Sequence, residues 1–264
     1  CLNGTATPLA VVVNSSSGAP TYQWYSNTVN SNTGGTAITG ATASTYVPQT
    51  NEVGDIYYYC IISLPAGGCS SLTSAVVLVK VVALPTITIQ PIASQNICVG
   101  VSISNPLSVV AAGGTGTASY QWYSNNSNAT IGGTAIASAT SATYSPPIFN
   151  SPGTFYYYVT VTYSGNSCGN VTSQSVVLNV FADPTISTQP LATQTLCSNA
   201  TPTDLVVAAT EGNGDFSYQW FSNSSNTNSG GSLIPTATNA TFIPPTNTVG
   251  TNYYYCVITQ STLG

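Results

Sequence analysis

SYQWYSN, at residues 119–125, has two close counterparts in this chain: TYQWYSN at residues 21–27 and SYQWFSN at residues 217–223. The three tryptophans are separated by equal intervals of 98 residues. A Gly-Gly pair follows each tryptophan, and a triple-tyrosine run comes further along in each case. This period is too long for a solenoid repeat and is typical of an independently folding sandwich domain. The sequence therefore predicts three copies of one domain.

Each copy consists of short runs rich in Val, Ile, Thr and Tyr, separated by Gly, Pro, Asn and Ser, without the 3.6-residue apolar period of a helix. This pattern predicts an all-β fold, and about seven strands per copy indicate an immunoglobulin-like β-sandwich. In the middle copy the predicted strands are approximately Thr86–Gln90, Leu107–Ala112, Ser119–Ser124, Ala135–Ala137, Ala142–Ser145, Thr154–Tyr163 and Val176–Phe181.

Alternation along the triple-tyrosine strand predicts which side chains face the core. Tyr157 and Val159 point inward in this interpretation, and Tyr156 and Tyr158 point outward. Immunoglobulin-like sandwiches bury a tryptophan on the third strand and place a tyrosine two residues before the cysteine position of the sixth. The predicted core residues are accordingly Trp24, Trp122, Trp220, Tyr58, Tyr157 and Tyr254.

Short proline-containing segments join the copies. They predict domain boundaries at residues 1–83, 84–182 and 183–264, with the first domain lacking its first strand and the third lacking its last. Because Pro85 and Pro184 fix the backbone angle φ in a short linker, we expect the domains to form a semi-rigid rod.

Composition excludes several classes of function. Only 3% of the residues are charged, and the chain has a single cation, Lys80, and no histidine. Nucleic-acid binding needs many cations, and acid–base catalysis relies on histidine or tuned carboxylates, so we expect neither nucleic-acid binding nor enzymatic activity. The longest apolar stretch, Ala75–Leu84, is about half as long as a membrane span, so we expect no membrane insertion. No acidic grouping recurs between copies, and we predict no metal and no cofactor.

The repeats suggest how the cysteines pair. The middle copy contains only Cys98 and Cys168, which predicts that any disulfide within it joins these two. The equivalent pair in the first copy is Cys1 and Cys69, and Cys197 would pair with a residue just beyond Gly264. Such bridges imply an oxidising compartment and hence export.

Cys60 and Cys256 occupy the inward position that Val159 holds in the middle copy. They are predicted to be buried, unpaired thiols that behave as small hydrophobic side chains. The alternative is a Cys60–Cys69 bridge, which would leave Cys1 without its partner.

The motifs at Tyr22–Asn27, Tyr120–Asn125, Gly34–Ile38, Gly132–Ile136 and Pro244–Gly250 give the chain a family resemblance. It resembles the immunoglobulin-like repeats of very large surface proteins of flavobacteria and other Bacteroidota, including gliding-motility-type adhesins. The resemblance implies export by the type IX secretion route and display on the bacterial cell surface as long filaments or stalks.

The leading hypothesis for function is a structural stalk in a secreted adhesin, with neighbouring repeats of the same chain, or other copies in a filament, as partners. The alternative is a module that binds glycans through outward aromatic side chains, because exposed aromatic rings can stack on sugars. The aromatic residues considered for this role are Tyr57, Tyr59, Tyr123 and Tyr158. A third hypothesis is a spacer within a large secreted enzyme.

Overall fold

The computed structural model describes residues 1–14, 19–64, 71–165 and 168–261. Every regular element in these ranges is a β-strand, which confirms the predicted all-β class. The first copy contains β1 (Leu9–Ala10), β2 (Thr21–Asn27), β3 (Thr36–Ala37), β4 (Thr45–Tyr46), β5 (Gly54–Ser63), β6 (Leu72–Thr73) and β7 (Val77–Val81). The middle copy contains β8 (Thr86–Ile89), β9 (Ser94–Cys98), β10 (Leu107–Ser108), β11 (Val110–Ala112), β12 (Thr115–Asn125), β13 (Thr134–Ala135), β14 (Thr143–Tyr144), β15 (Gly153–Gly165), β16 (Asn170–Thr172) and β17 (Val176–Phe181). The third copy contains β18 (Thr185–Thr188), β19 (Leu205–Val206), β20 (Ala208–Thr210), β21 (Phe216–Asn223), β22 (Ser232–Leu233), β23 (Thr241–Phe242) and β24 (Tyr253–Gln260).

The middle copy is an immunoglobulin-like sandwich of two layers. One layer is the sheet β13-β12-β15-β17-β9, in which β9 runs parallel to β17, and β16 also pairs with β15. The other layer is built from the pairs β8–β11 and β10–β14. Leu107 from this layer and Trp122, Val159 and Leu178 from the larger sheet are each 0% exposed and belong to one core cluster. The two layers therefore pack face to face around a shared apolar core.

The two ends of the middle sandwich are defined by the strand directions. We call the end where β15 begins and β17 ends the exit end, and there Gly153 pairs with Val180. The opposite end, where β15 ends and β12 begins, is the entry end, and there Gly165 pairs with Thr115. The strand β8, which follows the linker from the first copy, also begins at the entry end, where Thr86 pairs with Ala112. The chain thus enters the middle sandwich at one end and leaves at the other.

Strand β9 was absent from the sequence prediction. Its five residues, SQNIC, contain one aliphatic side chain and no alternation of apolar and polar residues. The segment is held as a strand by the parallel ladder with β17, which runs from Ser94 opposite Val177 to Cys98 opposite Phe181. Its conformation therefore depends on a tertiary partner and not on local propensity.

The repeated SYQW stretch places its side chains in the same way in every copy. The indole Nε1 of Trp24, Trp122 and Trp220 donates to a backbone carbonyl 19 residues later, at 3.0, 2.9 and 2.9 Å. The preceding glutamine, Gln121 in the middle copy, donates from Nε2 to the carbonyl of Ile136 at 2.8 Å. Asn125 donates from Nδ2 to the carbonyls of Ala129 and Ile131, at 3.0 Å each. The glutamine, tryptophan and asparagine of the motif thus each bond to the backbone of a segment that follows the strand.

The predicted core residues lie as follows. The three tryptophans are 2%, 0% and 0% exposed, Tyr58 and Tyr157 are 2% and 5% exposed, and Tyr254 is half-buried. Burial raises the pKa of Tyr157 to about 12, with a further contribution from Tyr144. Tyr254 is less buried than Tyr157. In the middle copy β17 lies beside β15, whereas no described strand occupies the corresponding place beside β24.

Candidate functional site

The outer face of the triple-tyrosine strand carries a repeated stack of two rings. In the first copy Tyr25 and Tyr59 stack with ring centroids 5.1 Å apart, and in the middle copy Tyr123 and Tyr158 stack at 4.9 Å. Phe221 and Tyr255 form the same pair in the third copy at 5.1 Å. All three pairs are parallel to within 8°.

The Gly-Gly turn closes over this stack. The backbone N–H of Gly133 donates to the hydroxyl oxygen of Tyr158 at 3.1 Å. A Cβ at Gly133 would lie 2.8 Å from Cε1 of Tyr158 and 2.7 Å from the carbonyl oxygen of Ser124. Gly132 has a φ of +75°, a conformation that side-chain-bearing residues rarely adopt. The first glycine therefore allows the turn, and the second allows the ring to lie against the backbone.

This arrangement corrects the interpretation of Tyr59 and Tyr158 as outward platforms for a glycan. The two side chains are only 2% and 5% exposed, although the alternation correctly places them on the face opposite Tyr58 and Tyr157. One ring face is covered by the stacked aromatic partner and the hydroxyl edge by the glycine turn. Tyr57 and Tyr123 remain half-buried. These tyrosines stabilise the sheet, since aromatic cross-strand pairs contribute to sheet stability.

The structure also corrects the predicted disulfides. Cys1 is bonded to Cys168, with Cα atoms 5.4 Å apart, and Cys98 is a free thiol. The repeats predict Cys98–Cys168 and Cys1–Cys69 bridges instead, and Cys69 lies outside the described residues. The bridge therefore joins the first copy to the middle copy.

The strand order explains why Cys98 and Cys168 do not pair. Cys98 is opposite Phe181 at the exit end, whereas Cys168 follows β15 at the entry end. The 13 residues of β15 span about 40 Å between these ends. A disulfide needs Cα atoms within about 7 Å. The sequence contained a signal for this separation. Each strand carries the chain from one end of the sandwich to the other, and an odd number of predicted strands lies between Cys98 and Cys168, so the two residues lie at opposite ends.

The thiols of Cys60 and Cys256 do not form a reactive site. Cys60 is 0% exposed in a cluster with Trp24 and Ile62, and burial raises its pKa. Cys256 is half-buried, and burial raises its pKa as well. Both are free thiols, and a raised pKa keeps them protonated and weakly nucleophilic at neutral pH.

Charged groups and clefts offer little chemistry. Lys80 and Asp55 form one ion pair at 3.8 Å, and both side chains are largely exposed. Within the described ranges no three His, Cys, Asp or Glu side chains are placed to hold a metal ion. An open groove lined by Ile38, Ala41 and Tyr46 recurs in the middle copy at Ala139 and Tyr144, and no charged side chain lines either one. The described residues contain no helix that is long and apolar enough to cross a membrane.

The linker between the first and middle copies lies against the entry end of the middle copy. The N–H of Gly114 donates to the carbonyl of Ala83 at 2.9 Å. Gly113 has a φ of +75°, and a Cβ there would overlap the carbonyl oxygen of Leu84. This backbone contact and the Cys1–Cys168 bridge hold the same junction together.

Sandwich copies joined in series, with a covalent link between two of them, define a tandem immunoglobulin-like protein. The chain belongs to a family described as a domain of unknown function, DUF8696, whose model matches residues 1–83, 87–182 and 186–264. No curated protein sequence matches the chain.

Several solved structures of serial domains are similar to the chain at low sequence identity. Extracellular domains 3–5 of Drosophila OTK share 17% identity over 98% of this chain and 89% of theirs, with a TM-score of 0.41. Immunoglobulin domains 1–4 of Sidekick-1 share 16% identity over 84% of this chain and 58% of theirs, with a TM-score of 0.37. The titin I-band fragment I67–I69 shares 13% identity over 76% of this chain and 68% of its own, with a TM-score of 0.41.

Proposed function

We propose that the chain is a structural stalk segment of a secreted bacterial cell-surface adhesin, in which serial sandwiches provide reach. The junction between the first two copies is the observation that carries this proposal. The linker carbonyl of Ala83 accepts a hydrogen bond from Gly114, and the Cys1–Cys168 bridge spans the same junction. Two connections in parallel restrict bending between copies, which favours a semi-rigid rod over beads on a flexible tether.

The absence of catalytic chemistry in this stalk is part of the proposal. The sequence has no histidine, and its one cation, Lys80, is engaged with Asp55 on the surface. Burial raises the pKa of the Cys60 thiol and of the half-buried Cys256 thiol. We therefore expect no enzymatic activity from this chain, as a stalk or as a spacer within a larger enzyme.

An extracellular location follows from the same bridge. Disulfides persist in oxidising environments and are rare in the cytosol. The bridge supports export, and the resemblance to flavobacterial gliding-motility-type repeats extends the proposal to the type IX secretion route. The expected partners are neighbouring repeats of the same long chain.

The closed tyrosine stacks favour the stalk over a glycan-binding module. Sugar stacking needs an open aromatic face, and Tyr59 and Tyr158 have none. A glycan array probed with the intact chain tests this point. We expect no reproducible binding in the micromolar range. Binding that is lost in a Tyr57→Ala/Tyr156→Ala variant, but kept in Tyr57→Phe/Tyr156→Phe, would make the chain a recognition module.

A further inference from the structure

We propose that the Cys1–Cys168 bridge is one link of a repeating series, in which the cysteine at the exit end of each copy bonds to the cysteine at the entry end of the copy that follows. Cys98 and Cys197 are the exit-end cysteines of the middle and third copies. This inference rests on the contacts of the described residues and not on the proposed stalk role.

The three exit-end cysteines occupy the same local structure. In each copy the cysteine carbonyl accepts a hydrogen bond from the N–H three residues later: from Gly4 at 2.9 Å, from Val101 at 3.2 Å and from Ala200 at 3.1 Å. The residue two positions after each cysteine has a positive φ: 57° at Asn3, 78° at Gly100 and 61° at Asn199. The turn that presents Cys1 is thus built again at Cys98 and at Cys197.

The turn is attached to the exit end of its sandwich. Leu2, next to Cys1, donates to the carbonyl of Val82 at 2.9 Å, directly before the linker. Val99, next to Cys98, donates to the carbonyl of Phe181 at 2.8 Å, at the same point of the second linker. Cys1 and Cys98 therefore each lie beside the linker that leads into the next copy.

The entry-end cysteine lies on the other side of that junction. Cys168 follows β15 at the end of the middle copy where Gly113 and Gly114 contact the first linker. The entry-end cysteine of a copy lies beside the linker from the previous copy, and the exit-end cysteine lies beside the linker into the next copy. An exit-end and an entry-end cysteine can therefore come within bonding distance only across a junction. This geometry excludes a bridge within a copy and predicts one at every junction that has both cysteines.

Formation of each link is an oxidation by thiol–disulfide exchange. The two thiols lose two protons and two electrons to a protein disulfide oxidant of the export compartment. One cysteine thiolate attacks that disulfide, giving a mixed disulfide and releasing one oxidant thiolate. The second cysteine then attacks the mixed disulfide, the Cys1–Cys168 bond forms, and the oxidant leaves as a dithiol.

The sequence provides a simple test, because Lys80 is the only residue after which trypsin cleaves. The predicted bridges within copies would lie entirely in fragment 1–80 or entirely in fragment 81–264. The Cys1–Cys168 bridge connects the two fragments. The exported chain is denatured in urea with a thiol-alkylating agent, digested with trypsin and separated with and without reductant.

We expect the digested chain to run as one species without reductant and as two fragments with it. Cys168→Ser should separate the fragments without reductant, and Cys98→Ser, the matched control, should leave them joined. Separation of the unaltered chain without reductant, or the absence of any disulfide in it, would overturn the proposal. Separation in Cys98→Ser with retention in Cys168→Ser would assign the link to Cys98 and overturn it as well.

The repetition is tested in a longer form of the protein in which residues 84–182 occur twice in succession. Asn179 faces outward opposite Thr154, as Lys80 does opposite Asp55, so Asn179→Lys in the first of these copies adds an equivalent trypsin site. We expect the fragment after this site to stay attached through Cys98 until reductant is added. In the 264-residue chain the same variant should release fragment 180–264 without reductant. Release from the longer form would restrict the bridge to the first junction and contradict the series.

Discussion

The last strand of the first copy, β7, and the last strand of the middle copy, β17, are buried to different extents. In the middle copy Val176 and Leu178 on β17 are 1% and 0% exposed. The equivalent residues on β7 are Val77, which is 42% exposed, and Val79, which is half-buried. The difference arises from side chains that pack on the middle core from β8, β9 and the following turn, including Ile87, Ile97, Val99 and Ile103. The residues that precede the exit turn therefore complete the core of the middle copy.

The largest effect should come from truncating the covered strand. Leu178→Ala removes a side chain with no exposed surface and should destabilise the middle copy by about 2–5 kcal/mol. Val79→Ala, at the half-buried equivalent position, should cost the first copy about 1 kcal/mol, because less buried surface is lost. Hydrogen exchange resolved by copy measures both values. Equal costs would mean that the first copy is as well covered as the middle one.

A smaller effect, the same in both copies, is expected at the glycine turn over the tyrosine stack. Gly133→Ala and Gly35→Ala should each cost about 1–3 kcal/mol, because the added Cβ meets a tyrosine ring and a backbone oxygen in both copies. Gly169→Ala, at a position with positive φ and open space, is the control and should cost about 1 kcal/mol from backbone strain alone. Unequal costs at Gly133 and Gly35 would show that the copies also differ on this face.

The smallest effect is expected where the copies exchange Cys for Val. Cys60 pairs with Trp24 as Val159 pairs with Trp122, and both side chains are 0% exposed. Cys60→Val and Val159→Cys should therefore each change stability by less than about 1.5 kcal/mol. Chemical denaturation followed by tryptophan fluorescence measures the change. A loss of several kcal/mol in Cys60→Val would indicate a bridge to Cys60, which is the alternative pairing.

The sequence predicted the parts of the fold that depend on local pattern. Val176–Phe181 has the predicted bounds of β17, and the strand around Trp122 lies where the repeat indicates, because these segments combine β-propensity with alternation. The predicted strand Leu107–Ala112 divides into β10 and β11, which pair with different neighbours. Strand β9 was missed because its partner β17 is 78 or more residues away and its own sequence is polar.

The candidate sites were harder to predict because they depend on the order of strands. Repetition identifies Cys1 and Cys98 as equivalent, but it does not say which copy supplies the partner. The outward direction of Tyr158 follows from alternation, whereas its burial depends on the turn at Gly133 folding over the ring. In both cases the missing information is how neighbouring segments are placed in space.

Small-angle X-ray scattering of the oxidised 264-residue chain tests the stalk account most directly. Each sandwich is about 40 Å long, as judged from the 13-residue strand β15, so three in series extend over about 120 Å. Such a rod has a radius of gyration of about 35 Å, whereas a compact domain of the same chain length has one of about 18 Å. We expect a value near 35 Å. A value near 18 Å would mean that the copies fold back on one another, and the stalk account would be wrong.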